Sequence, residues 1–396
     1  MAAGNRVSFI DGVRSPFGRA GEKGVYWTTR ADDIMVKTVV GLLERNPNVP
    51  PEAIDEVALA AATQAGDQGL VLGRSVGILA GLPLSVPGFA IDRWCAGAMT
   101  AATTVAGGIA MGAYDIAIAG GVEHMGHHPI GAGLEPNPRF ISEKLVDPAA
   151  LSMGETAERL HDRFPQLTKD RADRFSVASQ AKAEAAYQAG HIQADIVSVS
   201  ASGAAGWTVV DTDETRRPGT NMEGLADLKT PFRPHGRVTA GNASGLTDGA
   251  TACILASDAA VSAYGLTPKM HLVSYAFAGV APEVMGIGPI PSTEKALSKA
   301  GLTMDDIGLI EINEAFAVQV LSFTDHFGLS DDDPRVNPLG GAIAFGHPLA
   351  SSGVRLMIQL AREFAEHPEV RYGMTTMCVG LGQGGTVIWE NPNWKK

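Results

Sequence analysis

The sequence predicts an α/β protein built from two related halves, on two observations. Short Ala/Val/Ile runs alternate with helical stretches along the chain, the pattern of strands layered with helices. The same local pattern also occurs twice. Ala53-Ile-Asp-Glu-Val-Ala-Leu-Ala60 resembles Asp306-Ile-Gly-Leu-Ile-Glu-Ile-Asn313, 253 positions later. Tyr114-Asp-Ile-Ala-Ile-Ala-Gly-Gly121 resembles Tyr372-Gly-Met-Thr-Thr-Met-Cys-Val379, 258 positions later. Two matches in one order at nearly one spacing point to duplicated domains. The pattern leaves strand order open.

Residues 32–43 are predicted helical, with Ile34, Val36, Val39, Val40 and Leu43 near one face and Gly41 as the weak point. A buried strand follows at 57–62, then a helix at 73–80. The turn between Pro83 and Pro87 leads to a strand at 88–91. Small residues fill a helix at 98–111, which ends near Gly112 before a strand at 115–119. From 121 to 247 the chain changes character, and Pro129, Pro136, Pro138 and Pro148 mark irregular structure. Within it a polar helix spans 169–190, capped by Thr168, with Ala172, Phe175, Ala178 and Ala185 free to pack. An excursion of this length is expected to be a functional loop domain. The second half enters with a helix at 292–300, a strand at 307–312 and a helix at 315–327.

The 396 residues suit two or three domains. With 45% apolar and 19% charged residues, the chain can build ordinary cores. Its 31 basic and 43 acidic side chains give a net charge of −12. That balance argues against a nucleic-acid binder with a broad basic surface. Three cysteines, Cys95, Cys253 and Cys378, neither staple a chain this long nor show the CxxC spacing of a zinc site. They suit a reducing compartment. Residues 1–11 carry no secretory signal, and no run approaches the roughly 18 apolar residues of a membrane span. A soluble, cytoplasmic protein is expected.

Three distant motifs carry reactive side chains. Cys95, in Trp94-Cys-Ala-Gly-Ala-Met99, follows a strand and opens a small-residue helix. Helix dipole and nearby N–H groups there are expected to favour the thiolate, a nucleophile toward carbonyls. A lone free cysteine also often just packs. His347 sits in Gly346-His-Pro348, where proline fixes the backbone exit and imidazole can move a proton or support an oxyanion, or else is a structural or surface histidine. It lies 252 positions after Cys95, near the repeat spacing, so both are expected at related junctions of opposite halves. Cys378 precedes the glycine-rich run Val-Gly-Leu-Gly-Gln-Gly-Gly385, read as a flexible turn, and is a candidate proton donor to carbon. Asn313, in Glu311-Ile-Asn-Glu-Ala-Phe316, reads either as a helix cap or as a ligand for water or an oxyanion.

Together these motifs resemble the thiolase family over nearly the full chain. The resemblance implies two thiolase-like α/β domains in a layered α-β-α-β-α arrangement, with an inserted loop domain over the coenzyme A side. The expected bounds are 1–120 with 248–270, 121–247, and 271–396. By resemblance Cys95 accepts the acyl group, His347 and Asn313 belong to the site, and Cys378 is the acid/base cysteine. Gly380 then supplies an N–H to an oxyanion hole shared with Cys95. Met153, in Ser152-Met-Gly-Glu-Thr-Ala-Glu158, matches an acyl-pantetheine wall. Ser244, in Val238-Thr-Ala-Gly-Asn-Ala-Ser244, matches a CoA-contacting serine, and Arg217 a residue near the nucleotide, or else a solvated loop charge. Gly97-Ala98, Ala350 and Leu381 depart from the family pattern, which usually has Ser-Gly, Gly and Gly there.

The implied reaction is thiolytic cleavage of 3-oxoacyl-CoA by CoA through a Cys95 acyl-enzyme, in fatty-acid β-oxidation. A biosynthetic acetoacetyl-CoA thiolase is the enzymatic alternative, and a non-catalytic acyl-CoA-binding subunit the other. Coenzyme A is then a substrate, and no metal or redox cofactor is expected. The family also implies a homodimer or homotetramer and leaves association with other β-oxidation enzymes open.

Overall fold

Strands β1 (Val7–Arg14), β2 (Gly18–Arg19), β3 (Glu56–Ala60), β4 (Gly88–Ile91) and β5 (Ile116–His124) form in the first part of a computed structural model that describes residues 5–133 and 135–395. The middle region adds the hairpin β6 (Val199–Gly203) and β7 (Gly206–Val210), then β8 (Thr247–Ser257). The last part supplies β9 (Met270–Gly279), β10 (Ile307–Ile312), β11 (Tyr372–Val379) and β12 (Gln383–Glu390).

The strand order is β10-β11-β12-β9-β1-β8-β5-β3-β4, with β2 beside β8. β9 meets β1 through Ser8 with His271 and Phe9 with Met270 alone, so the order is two sheets touching at a corner. β1, β8, β5 and β3 lie in the same order and the same senses as β9, β12, β11 and β10: antiparallel, antiparallel, then parallel. The two echoes in the sequence are β3 with β10 and β5 with β11. Duplication is therefore a property of the topology, and β4 extends only the first sheet.

Side-chain alternation makes the layers. Ala58 and Ala60 of β3, with Ala117 and Ala119 of β5, turn into a central core. Val57, Leu59, Ile116 and Ile118 turn outward into a second core beneath helices Ala31–Arg45 and Leu72–Leu79. On the other sheet Ile310, Ile312 and Met374 pack outward beneath helices Pro289–Ala300 and Ala317–His326. Between the sheets run helices Gly97–Ala110 and Ser352–Glu366, whose Met99, Val105, Val354 and Met357 share the central core. Helix, sheet, helix, sheet and helix make five layers. The alanines facing inward let the central helices approach closely. At their N-terminal ends a Cβ on Gly353 would lie 2.6 Å from the Met99 backbone nitrogen.

The predicted helices appear at Ala31–Arg45, Leu72–Leu79, Gly97–Ala110, Pro289–Ala300 and Ala317–His326. The polar helix spans Lys169–Gln188, and the Thr168 hydroxyl accepts the Arg171 N–H at 3.2 Å. Its packed face differs from the expected one. Ala178 and Ala185 are exposed, while Ser176, Ser179 and Gln180 are buried beside Ala172 and Phe175. The polar members are retained there because they bond inward, Ser179 to Glu314 at 2.7 Å and Gln180 to the Ile343 carbonyl at 3.1 Å. The run after Cys378 is also more ordered than expected. Gln383 to Gly385 pair in β12, and only Gly380, Leu381 and Gly382 turn. Among the described residues, no helix is long and apolar enough to cross a membrane.

Candidate active site

Cys95 lies in a single helical turn, Trp94–Ala96, between β4 and the first central helix. The junction is sharp: Trp94 has φ +44°, and its N–H is held by the Asp92 carboxylate at 2.8 Å. The thiol is 6% exposed. Burial pushes it up to about 12, against the smaller opposing pull of the Gly380 and Cys95 N–H groups. This corrects the expected thiolate. Desolvation outweighs the local N–H groups, so the resting residue is a thiol.

His347 lies just before the second central helix but follows the short helix Ala342–Phe345, so the expected strand-to-helix junction is met at Cys95 and not at His347. Gly346 before it has φ +96°, and a Cβ there would lie 2.4 Å from Thr247. The ring is buried. Its Nδ1 lies 2.6 Å from the Ser352 hydroxyl, and its Nε2 lies 3.3 Å from the Asn313 amide nitrogen. Asn313 can be oriented from its other neighbour. Arg355 has only donors and stands 3.4 Å from the Asn313 oxygen, which turns the amide N–H₂ toward His347. Nε2 therefore accepts, and Nδ1–H donates to Ser352. Burial, reinforced by Arg355, lowers the imidazole to about 3, so it stands neutral.

Cys378 is the last residue but one of β11, fully buried, and that burial raises it well above the ordinary thiol range. One cavity of about 530 Å³ is lined by Cys95, His347 and Cys378 together. Met153 and Ser244 line it too, and the Ser244 hydroxyl sits 3.3 Å from the Ala315 carbonyl. Asn313 stands behind His347. Gly380 presents its N–H to the Cys95 sulfur, and a Cβ there would lie 2.7 Å from the Trp94 ring. Arg217 is elsewhere. It lines an adjoining pocket of about 590 Å³ that shares Ala240, Ala243, Gly245 and Leu246 with the first. Its guanidinium folds onto the carbonyls of Glu214, Thr215 and Arg216.

Sequence reasoning missed three supporting residues. Ser352 and Arg355 orient His347 and Asn313 as described. Glu123, at the end of β5, accepts the N–H groups of Ala62 at 3.0 Å and Ala350 at 3.2 Å, tying the first sheet to the turn after His347. A charged residue inside the apolar stretch after the His347 motif was the available signal for Arg355. Among the described residues, no cluster of three or more His, Cys, Asp or Glu is arranged to hold a metal ion.

Residues 7–259 match the model of the thiolase N-terminal domain and residues 266–391 that of the thiolase C-terminal domain. The chain belongs to the thiolase family. A β-ketoadipyl-CoA thiolase of Pseudomonas knackmussii is 43% identical over 97% of this chain and 98% of its own. A 3-ketoacyl-CoA thiolase of Pseudoalteromonas translucida is 40% identical, over 98% and 99%. Human mitochondrial 3-ketoacyl-CoA thiolase has a similar structure, with TM-score 0.88 and 32% identity over 98% of this chain and 99% of that one. So has the Bacillus anthracis acetyl-CoA acetyltransferase, with TM-score 0.88 and 33% identity over 99% and 100%.

In this thiolase two departures from the family pattern face each other. A Cβ on Gly97 would lie 3.0 Å from the Ala350 methyl and 2.7 Å from that of Ala60. A side chain at 97 would compete for space with the methyls of Ala60 and Ala350. Leu381 has φ +61°, the left-handed region in which glycine is unstrained. No compensating contact explains the leucine.

Proposed function

We propose that this thiolase catalyses the cleavage of 3-oxoacyl-CoA by CoA, giving acetyl-CoA and an acyl-CoA two carbons shorter. The observation that carries the reading is the single cavity onto which Cys95, His347 and Cys378 open. Cys95 attacks the 3-keto carbon as its proton passes to His347, whose Nε2 is arranged to accept. Two backbone N–H groups, of Gly380 and Cys95, face the Cys95 sulfur and supply the donors for a developing oxyanion in this reading. When the C2–C3 bond breaks, its electron pair stays on C2, and Cys378, a thiol at rest, supplies the proton that completes acetyl-CoA. The proton taken from Cys95 then restores Cys378. The shortened acyl group remains on Cys95 as a thioester until the CoA sulfur attacks it. The CoA proton passes by way of His347 back to the Cys95 sulfur.

Met153 and Ser244 fit the wall of the pantetheine channel, and Arg217 fits the outer pocket where a nucleotide would emerge. Self-association is supported by exposed apolar side chains, Leu70, Val71, Leu79 and Leu84, near the edge strand β4. Three free, buried cysteines suit a reducing, cytoplasmic setting. Purified protein given acetoacetyl-CoA and CoA is expected to release acetyl-CoA, and Cys95→Ser to lose at least about 1,000-fold in kcat. Absence of turnover by the folded wild-type protein would count against the reading, as would an active Cys95→Ser.

A further inference from the structure

We infer that this enzyme selects 3-oxoacyl chains with an apolar end and rejects chains that end in a carboxylate. The inference rests on the thiolase reading and narrows its substrate class. It matters because several relatives of about 42% identity are named for 3-oxoadipyl-CoA or β-ketoadipyl-CoA, whose acyl chain carries a terminal carboxylate.

The apolar wall of the cavity includes Met125, Ile130, Leu151, Phe232, Leu246 and Met285. Among the described residues, no lysine or arginine lines it. Its side-chain hydroxyls, on Ser152, Thr239 and Ser244, are neutral, and His347 is held neutral by its own burial.

Three arginines close to the wall in sequence are already engaged, and Lys229 opens onto a different pocket that meets this one at Pro231 and Ala240. Arg233, next to Phe232, binds Glu155 at 2.5 Å and Asp162 at 2.7 Å. Arg237 is paired with Asp162 and lies 3.7 Å from Glu158, and Arg159 meets Asp147 at 2.9 Å. The charge of each of these arginines is thus matched by a carboxylate outside the cavity lining. A terminal carboxylate entering here gives up its water and finds no cation on the wall. A methyl end replaces the same water with apolar contact. Burial of an unpaired charge is the larger penalty, so discrimination falls on the terminal group.

Two substrates isolate that group: 3-oxohexanoyl-CoA and 3-oxoadipyl-CoA have acyl chains of equal carbon count and differ in a terminal methyl against a carboxylate. The expected result is kcat/KM for thiolysis at least about 100-fold higher for 3-oxohexanoyl-CoA. Equal values, or a preference for 3-oxoadipyl-CoA, would overturn the inference and leave the thiolase reading standing. If neither compound nor acetoacetyl-CoA is cleaved, the thiolase reading falls and this inference with it. Leu151→Arg, at a partly exposed position of the wall, is expected to narrow the preference at least about 10-fold. An unchanged ratio in that variant would contradict the charge argument.

Discussion

At the scale of single residues, Cys95 balances two opposed effects. A helix start and two N–H groups favour the thiolate, while removal from water favours the thiol, and removal from water wins. The sign follows directly. A thiol raised to about 12 carries little thiolate at neutral pH, and its thiolate fraction grows about tenfold with each pH unit below that value. Alkylation of the Cys95 peptide by iodoacetamide should therefore climb continuously between about pH 7 and 9. A plateau within that interval would mean an activated resting thiolate instead. The reactive residues were legible because each sits in its own local motif: Cys95 between a strand and a helix, His347 in Gly-His-Pro between helical segments, and Cys378 beside a hairpin turn. Glu123 and Ser352 were not. Their roles depend on contacts that sequence does not display, such as Glu123 reaching Ala350, 227 positions away.

At the scale of elements, long periodic helices and the short apolar strands β3, β4 and β10 were readable from pattern. The strands β1, β8, β9 and β12 were not. β1 is buried along its whole length yet contains Ser8, Asp11 and Arg14, and β8 contains Thr247, Asp248 and Thr251. Buried polar residues of this kind, such as Arg14 paired with Asp213 at 2.6 Å, erase the alternation that marks a strand. The two central helices offer a direct test of fit. Gly97→Ser adds a side chain against Ala60 and Ala350, and should destabilise the fold by about 1–3 kcal/mol. In the Ala60→Gly/Ala350→Gly background the same change should cost at least about 1 kcal/mol less, read by denaturant unfolding. Equal costs in both backgrounds would show that the methyls do not occupy the missing side chain's space.

For the whole molecule, duplication explains why residues 252 positions apart share a cavity. Each half ends a connection at the start of a buried helix, and the two helices meet N-terminus to N-terminus at Gly97, Met99, Ala350 and Gly353. The acceptor sulfur comes from one half, and the imidazole and second sulfur from the other. The echoes in the sequence disclosed the duplication. They did not disclose the corner between β1 and β9, which joins the sheets through two residue pairs. Mapping the acylated residue tests this assembly most directly: incubate the protein with acetyl-CoA, quench in acid, digest, and locate the acetyl group by mass. Acetyl on the Cys95 peptide, with the Cys253 and Cys378 peptides unmodified, is the predicted result. Acetyl on Cys378 in place of Cys95, or no adduct on a folded and CoA-binding protein, would contradict it.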